Sequence, residues 1–318
     1  MGNTPVMVSV LCTTYNQESY IRKCLESLVG QETDFAYEIL VHDDASTDRT
    51  ADIIREFENA YPDKIRPIYQ TVNQYSQGIN IIDTILTPQA KGRYIAICEG
   101  DDYWTDPYKL QKQFDALEAH PEVDMCAHGA VLVKEDTEEV LREIRPSDCD
   151  RVLTTEEVIL GDGGYLATNS LFYRVDLAKN SVTFCKLFPL DYSLQIMGSL
   201  RGGIWYLAES MSAYRYMAKG SWTASTKDSL AKRIAAQEFV QKMLLQADID
   251  TEGVYHAALE QMALYYEMNV LLARGDFRKA ISKQYTPYFR QLPLVAQCKI
   301  YIGALFPFLV AWKRKLRR

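Results

Sequence analysis

The run Tyr94-Ile95-Ala96-Ile97-Cys98-Glu99-Gly100-Asp101-Asp102-Tyr103-Trp104 carries an apolar segment directly into a cluster of acids. Tyr94 to Cys98 reads as a buried strand, and Glu99, Asp101 and Asp102 follow at its C-terminal end. Upstream, Val6 to Leu11 is a β-branched apolar run and predicts a first strand. Residues 17–30 predict a helix with Ile21, Leu25, Leu28 and Val29 on one face and Gly30 near its end. Tyr37 to His42 is a second strand, ended by Asp43 and Asp44. Residues 44–48 then cap a helix carrying Ile53, Ile54 and Phe57. Ile65 to Tyr69 is a third strand, a helix is expected near 78–90, and Pro107 opens another over 107–119. Strands alternating with helices predict an α/β fold with a mostly parallel central sheet flanked by helices on both faces.

The pattern changes beyond residue 120. Strands are expected at Val123–Val133, Ser170–Arg174, Ile204–Ala208 and Ser212–Met217, separated by longer loops such as Gly161-Asp162-Gly163-Gly164. After Ser225 the chain reads as helical, over about 228–247, 253–274, 276–285 and 294–316. The expected organisation is one large domain over 1–225 and a helical extension over 226–318. The change of pattern near residue 120 divides the large domain into 1–120 and 121–225. The extension ends in an apolar stretch and a basic tail, Lys313, Arg314, Lys315, Arg317 and Arg318.

A formal charge of -7 argues against a general nucleic-acid binder. The seven cysteines lack C-x-x-C spacing, and Cys12, Cys98 and Cys126 lie in apolar runs, as expected of reduced core residues in a cytoplasmic protein. His42, His120, His128 and His256 have no zinc-ligand spacing. The first residues show neither a charged n-region nor an apolar h-region, so no signal peptide is expected. Val6 stands where a myristoylation motif after Gly2 wants Ser or Thr. Leu294 to Trp312 is mostly apolar, but Gln297, Lys299 and Pro307 interrupt it. With Trp312 and five basic residues after it, the segment suits docking on the inner face of an anionic membrane better than crossing it. The competing reading is a final helix packed on the protein, with a solvated basic end.

The acids decide the chemistry. Asp43 and Asp44 at one strand end, and Glu99, Asp101 and Asp102 at another, lie on the edge where open α/β sheets bind ligands. Carboxylates this close repel each other unless protons or a cation intervene. Hard oxygen donors favour Mg2+ or Mn2+, ions that commonly share their coordination with a diphosphate. Acidic pairs are also common in plain turns, so each pair alone says little. No phosphate loop is present, neither G-x-x-x-x-G-K-[ST] nor G-x-G-x-x-G after the first strand. The first strand instead ends Thr13-Thr14-Tyr15-Asn16, where a tyrosine would stack on a nucleobase or simply fill a turn.

Three blocks together resemble family-2 glycosyltransferases: residues 8–18, VSVLCTTYNQE; residues 38–48, EILVHDDASTD; and residues 92–104, GRYIAICEGDDYW. The resemblance is close over 6–120, looser over 160–225 and absent beyond. It implies a GT-A fold and nucleotide-sugar dependence. Carried over, it implies that Thr13, Tyr15 and Glu18 lie at the nucleotide, with Tyr15 on the base and Asp44 accepting the base N–H. Asp101 would contact the ribose and Asp102 the metal. Glu99 stands where many relatives carry an aspartate, and would join the metal shell directly or through water. Asp191, in Phe188-Pro189-Leu190-Asp191-Tyr192, occupies the place of the acceptor base; the plain alternative is an N-cap. Arg215 would neutralise diphosphate or form a structural ion pair. Lys219 stands near the place of a histidine that relatives carry. Thr168, Asn169, Ser170 and Trp222 would line the acceptor side.

The implied reaction is an inverting transfer from a nucleotide-diphosphate sugar, with a UDP-sugar favoured, to an acceptor hydroxyl. Relatives of this kind glycosylate glycans or lipid-linked glycans in surface polysaccharide biosynthesis. A nucleotidyltransferase would want the missing phosphate loop, and a non-catalytic sugar-nucleotide-binding scaffold would not need Asp191.

Overall fold

A computed structural model describes residues 5–219 and 229–306. The chain divides into two compact units. One holds 1–182 and 189–225; the other holds 183–188 together with the C-terminal helices from 226.

The first unit begins β1 (Val6–Thr14), α1 (Ile21–Val29), β2 (Ala36–Asp43), α2 (Thr50–Ala60), β3 (Ile65–Tyr69) and β4 (Tyr94–Ile97). It continues with β5 (Tyr103–Trp104), α3 (Lys109–Ala119), β6 (Met125–Lys134), β7 (Val140–Ile144), β8 (Arg151–Leu153) and α4 (Thr155–Leu160). After β9 (Phe172–Arg174) and α5 (Val175–Lys179), the short helix α6 (Thr183–Leu187) belongs to the other unit. The first unit resumes with α7 (Asp191–Ser199) and β10 (Ile204–Tyr216).

All the strands join one sheet in the order β3-β2-β1-β4-β9-β6-β10-β5, with β7 beside β6 and β8 beside β10. β3, β2, β1 and β4 run parallel. β9 is antiparallel to both of its neighbours, and β10 returns parallel to β6. The N-terminal half is therefore parallel and the other half mixed.

The parallel strands are buried on both faces, which is why they read as continuous apolar runs. Val8, Val10 and Cys12 of β1 pack with Ile39 and Val41 of β2 and Ala96 of β4. Ile21, Leu25 and Leu28 of α1 and Ile53, Ile54 and Phe57 of α2 close over the same cluster. Each such side chain contributes roughly 1.5–3 kcal/mol by leaving water. Parallel pairing also brings the C-terminal ends of β1, β2 and β4 to one edge, and that edge builds the site.

Three expectations are corrected. The helix expected near 78–90 is instead a set of short 3-10 and π turns, Tyr75–Gln77, Ile82–Leu86 and Thr87–Gln89. Gly78 is left-handed at φ 77°, which ends the first turn, and Pro88 has no N–H to continue a helix. The strands expected at 204–208 and 212–217 are one strand, β10, carried through Glu209 and Ser210 by register shifts on either side of Ser210. The helix expected over 276–285 is broken into Phe277–Ala280 and the 3-10 turn Lys283–Tyr285.

In the second unit, helices Leu230–Asp250 and His256–Arg274 precede shorter helices at Thr286–Gln291 and Leu294–Leu305. Gly275, left-handed at φ 79°, ends the second long helix. Met268, Ala280, Tyr285, Tyr288, Phe289 and Ile300 form this unit's buried cluster. No described helix is long and apolar enough to cross a membrane. Pro307, Trp312 and the basic tail lie outside the described residues.

Candidate active site

The loop after β1 is stitched to the loop after β2. Asn16, at φ 52°, donates its N–H to Ser46 Oγ at 2.9 Å and accepts from Thr47 N at 2.8 Å. Glu18 N donates to Asp48 at 3.1 Å, while Glu18 Oε2 accepts from Arg49 N at 3.0 Å. Glu18 therefore pins the entry to α2. Within this bracket Tyr15 is 41% exposed, so its ring is open to solvent beside the acidic turn. The acidic turn after β4 docks on the same loop. Gly100 N donates to Thr13 O at 2.9 Å, and a Cβ on Gly100 would lie 2.8 Å from Thr14 Cβ, so only glycine permits the approach.

Three acids face the resulting cleft. Asp191 is solvent-exposed at the first residue of α7, and Thr168 Oγ1 donates to its Oδ2 at 2.5 Å. Dense protein around it raises its carboxyl above the ordinary range, opposed by the Thr168 hydrogen bond. Glu99 is partly buried, and its carboxyl is pushed well up by desolvation and then by the charges of Asp191, Asp101 and Asp102. The base position and the acid block are thus in electrostatic reach of each other. Asp101 is nearly buried and also raised by desolvation, against lowering contributions that include Arg215 and a hydrogen bond from Gln17.

Behind these lies a sealed layer, and here the structure departs from the sequence reading. Asp44 is 2% exposed, and its two oxygens accept from the N–H groups of Gln74 at 2.7 Å and Tyr75 at 3.0 Å. It anchors the 73–77 turn and has no surface turned to a base. Asp102 is 1% exposed, with Oδ1 accepting from Arg215 N at 2.9 Å and Oδ2 from Asn169 Nδ2 at 2.8 Å. Each oxygen thus carries one hydrogen bond from inside the protein and keeps a second lone pair, and Asp102 lies beneath the surface rather than on it. Arg215 is buried between the rings of Tyr20 and Tyr103, donating to Asp101 O at 2.6 Å and to Glu138 at 2.8 Å. This is the structural ion pair rather than a free phosphate ligand. Asn169 and Ser170 have no exposed surface and cannot line an acceptor channel. Trp222 lies outside the described residues.

Sequence reasoning missed Gln17, although it sits inside the first of the three blocks, residues 8–18, and missed that Thr168 is bonded to Asp191. It also missed Glu138, which reaches Arg215 from the β6–β7 turn with no local motif to mark it. Lys219, whose N–H donates to Glu135 at 3.1 Å, is exposed next to the site loops.

Among the described residues no three His, Cys, Asp or Glu side chains form a ready-made metal cage. The donor chemistry of the cleft nonetheless suits a hard divalent ion. Glu99 and Asp101 are oxygen donors whose mutual repulsion a cation would relieve, and a diphosphate would complete the shell.

Comparison with known proteins bears on the family and the fold. An uncharacterized protein of Mycobacterium tuberculosis is 36% identical over 221 residues, covering 70% of this chain and 62% of the relative. The match thus spans less than two thirds of that relative's length. Residues 1–349 of TarS of S. aureus, solved in complex with UDP-GlcNAc, superpose with a TM-score of 0.63 at 19% identity, covering 88% of this chain and 83% of that fragment. A mannosyltransferase from Pyrobaculum calidifontis, solved with GDP-Man and Mn2+, gives a TM-score of 0.53 at 18% identity, covering 96% of this chain and 88% of the enzyme. At these identities the two structures speak for the fold, which is GT-A. The family model of glycosyl transferase family 2 matches residues 9–178, more than half of the sequence, and the chain belongs to that family.

Proposed function

We propose that the chain is an inverting glycosyltransferase that moves a sugar from a nucleotide-diphosphate sugar, a UDP-sugar by preference, to an acceptor hydroxyl. The observation that carries this reading is Asp191, an exposed carboxylate whose charge reaches Glu99 in the acidic turn that follows β4. Tyr15 receives the base and Thr13 and Glu18 border the nucleotide. Glu99 and Asp101, rather than Asp102, hold Mg2+ or Mn2+. When bound, the ion stabilises charge on the departing diphosphate. Asp191 takes the proton of the acceptor hydroxyl as its oxygen attacks the anomeric carbon from the face opposite the nucleotide. The raised carboxyl of Asp191 suits a base, because it holds a transferred proton better than an ordinary aspartate does.

The acceptor is a glycan or lipid-linked glycan of surface polysaccharide synthesis. The apolar segment from Leu294 and the basic tail dock the protein on the cytoplasmic face of an anionic membrane. Flotation with anionic vesicles at low salt should carry the full chain and leave a version ending at Leu292 behind; equal behaviour of the two would remove the membrane reading.

The test of activity is nucleotide release from UDP-, GDP- and dTDP-sugars with Mn2+, wild type against Asp191→Asn. Release from one donor class is expected, with turnover lowered about 100- to 10,000-fold in the variant at unchanged donor affinity. A variant as active as wild type would end the base assignment.

A further inference from the structure

The 3-10 turn Thr168–Ser170 is buried throughout, and its polar groups are bonded to several different elements. Asn169 Nδ2 donates to Asp102 Oδ2 at 2.8 Å and to Ala213 O at 3.1 Å, while its Oδ1 accepts from Ser212 Oγ at 2.6 Å. Trp104 Nε1 donates to Asn169 O at 3.0 Å, and Gln113 Nε2 donates to Ser170 O at 2.8 Å. Ser170 Oγ closes the turn on Ala167 O at 2.6 Å. The turn is therefore fixed from β5, α3, β10 and the acidic block together. One hydroxyl leaves this assembly toward the cleft: Thr168 Oγ1, which donates to Asp191 Oδ2 at 2.5 Å.

We propose that Thr168 is the positioning residue for Asp191, and that the buried turn carries the placement of the acidic block over to the acceptor base. The inference rests on the reading of Asp191 as that base. Asp191 stands exposed at the first residue of α7, where a carboxylate has several rotamers open to it. The Thr168 bond occupies Oδ2 and leaves Oδ1 to accept the acceptor proton. In the transfer, the acceptor oxygen forms its bond to the anomeric carbon as the bond to the diphosphate breaks. The electron pair leaves with the diphosphate, and the hydroxyl proton passes to Oδ1. Thr168 keeps its own proton throughout. Its effect is geometric: a displacement of about 1 Å in a reacting group is enough to lower a rate roughly 100-fold.

Thr168→Val keeps the shape and removes the hydroxyl, and Thr168→Ser restores it. With UDP-GlcNAc and Mn2+ as the first probe, followed by GDP-mannose and dTDP-glucose, Thr168→Val should lower the rate of nucleotide release about tenfold or more. The donor KM should change by less than about twofold, because the base contributes little to donor binding. Thr168→Ser should recover most of the loss. Adding Thr168→Val to Asp191→Asn should cost nothing further, since both act through one carboxylate. Equal losses in Thr168→Val and Thr168→Ser would assign Thr168 to packing. A Thr168→Val enzyme with full turnover beside an inactive Asp191→Asn would overturn this inference alone, while an active Asp191→Asn would overturn the base reading beneath it. Crystal structures of the two Thr168 variants decide the matter independently of turnover. Asp191 should leave its rotamer in the valine variant and keep it in the serine variant; an unmoved Asp191 in both contradicts the proposal.

Discussion

Asp101 and Asp102 are consecutive in the chain but sit in two different environments. Asp101 belongs to the cleft rim, with Tyr15, Glu18, Glu99 and Asp191. Asp102 belongs to the sealed layer, with Asp44, Asn169, Ser170 and Arg215, where hydrogen bonds from inside the protein engage every one of these side chains that carries charge. Tyr15, Glu18, Glu99 and Asp191 keep solvent access and can meet a ligand, while Asp101 lies just beneath them at 8% exposure, accepting from Gln17. Sealed residues are buried and already hydrogen-bonded to groups inside the protein. A motif read from sequence treats both groups alike, because it records residue type and spacing and not what each oxygen already accepts. The comparison predicts that changes in the sealed layer are felt first as stability, and changes in the rim first as binding or turnover.

The largest stability effect is expected at Arg215. Arg215→Met removes the partner of Glu138 and the donor to Asp101 O, and leaves two tyrosine rings without their cation. Glu138 is 37% exposed and returns to water, so the loss comes mainly from the buried Asp101 O left without its donor, about 1–3 kcal/mol. A denaturant midpoint lowered by that amount at unchanged slope is the expected result. A stable variant with weakened nucleotide binding would return Arg215 to the rim.

A pH effect sharpens the same contrast. Lys109 is fully buried, its Nζ lies 3.8 Å from the centre of the Trp104 ring, and it has no hydrogen-bond partner. Burial lowers its amine to about 7. In the folded protein the group is therefore neutral above that value, while the unfolded chain still binds the proton up to its ordinary value of 10.5. The unfolded state holds more protons across this window, so the Lys109 contribution to stability rises with pH from about 7 to 10.5. Below the window the buried charge is a full penalty. Between pH 7 and pH 9 the gap between wild type and Lys109→Met should narrow by about 2 kcal/mol, with the methionine variant the more stable at pH 7. Parallel stability curves for the two proteins would mean that Lys109 finds a partner.

The smallest effect belongs to the rim. Tyr15→Ala should weaken UDP binding by about 1 kcal/mol in calorimetry and leave stability unchanged, as expected for an exposed ring that meets only the ligand. An unaltered affinity would take the base contact away from Tyr15.

The parallel half of the fold was legible in the sequence because its strands are buried on both faces and its acids fall at strand ends. Tyr94–Ile97 and the Glu99–Asp102 turn were read as they stand. Sequence reasoning failed where the deciding contact is remote. Asn169 meets Asp102 across 67 positions, and Arg215 meets Asp101 across 114. No periodicity records such pairs. It also failed where a polar patch hides a continuous strand, as Glu209 and Ser210 do in β10. Among site residues, Tyr15 and Asp191 stand exposed, whereas Asp44, Asp102 and Arg215 are buried and hydrogen-bonded inside the protein, a difference that residue type and spacing do not record.

The most direct test of the division between rim and sealed layer sets Asp101→Asn against Asp102→Asn, measuring Mn2+-dependent UDP affinity and unfolding midpoint for each. Asp101→Asn should lose the metal-dependent part of binding with its midpoint nearly unchanged. Asp102→Asn should lose about 1–3 kcal/mol of stability, because its amide would face the amide of Asn169, and should keep metal-dependent binding while folded. The reverse pattern, a stable Asp102→Asn that no longer binds UDP with Mn2+ beside an Asp101→Asn that does, would contradict the account.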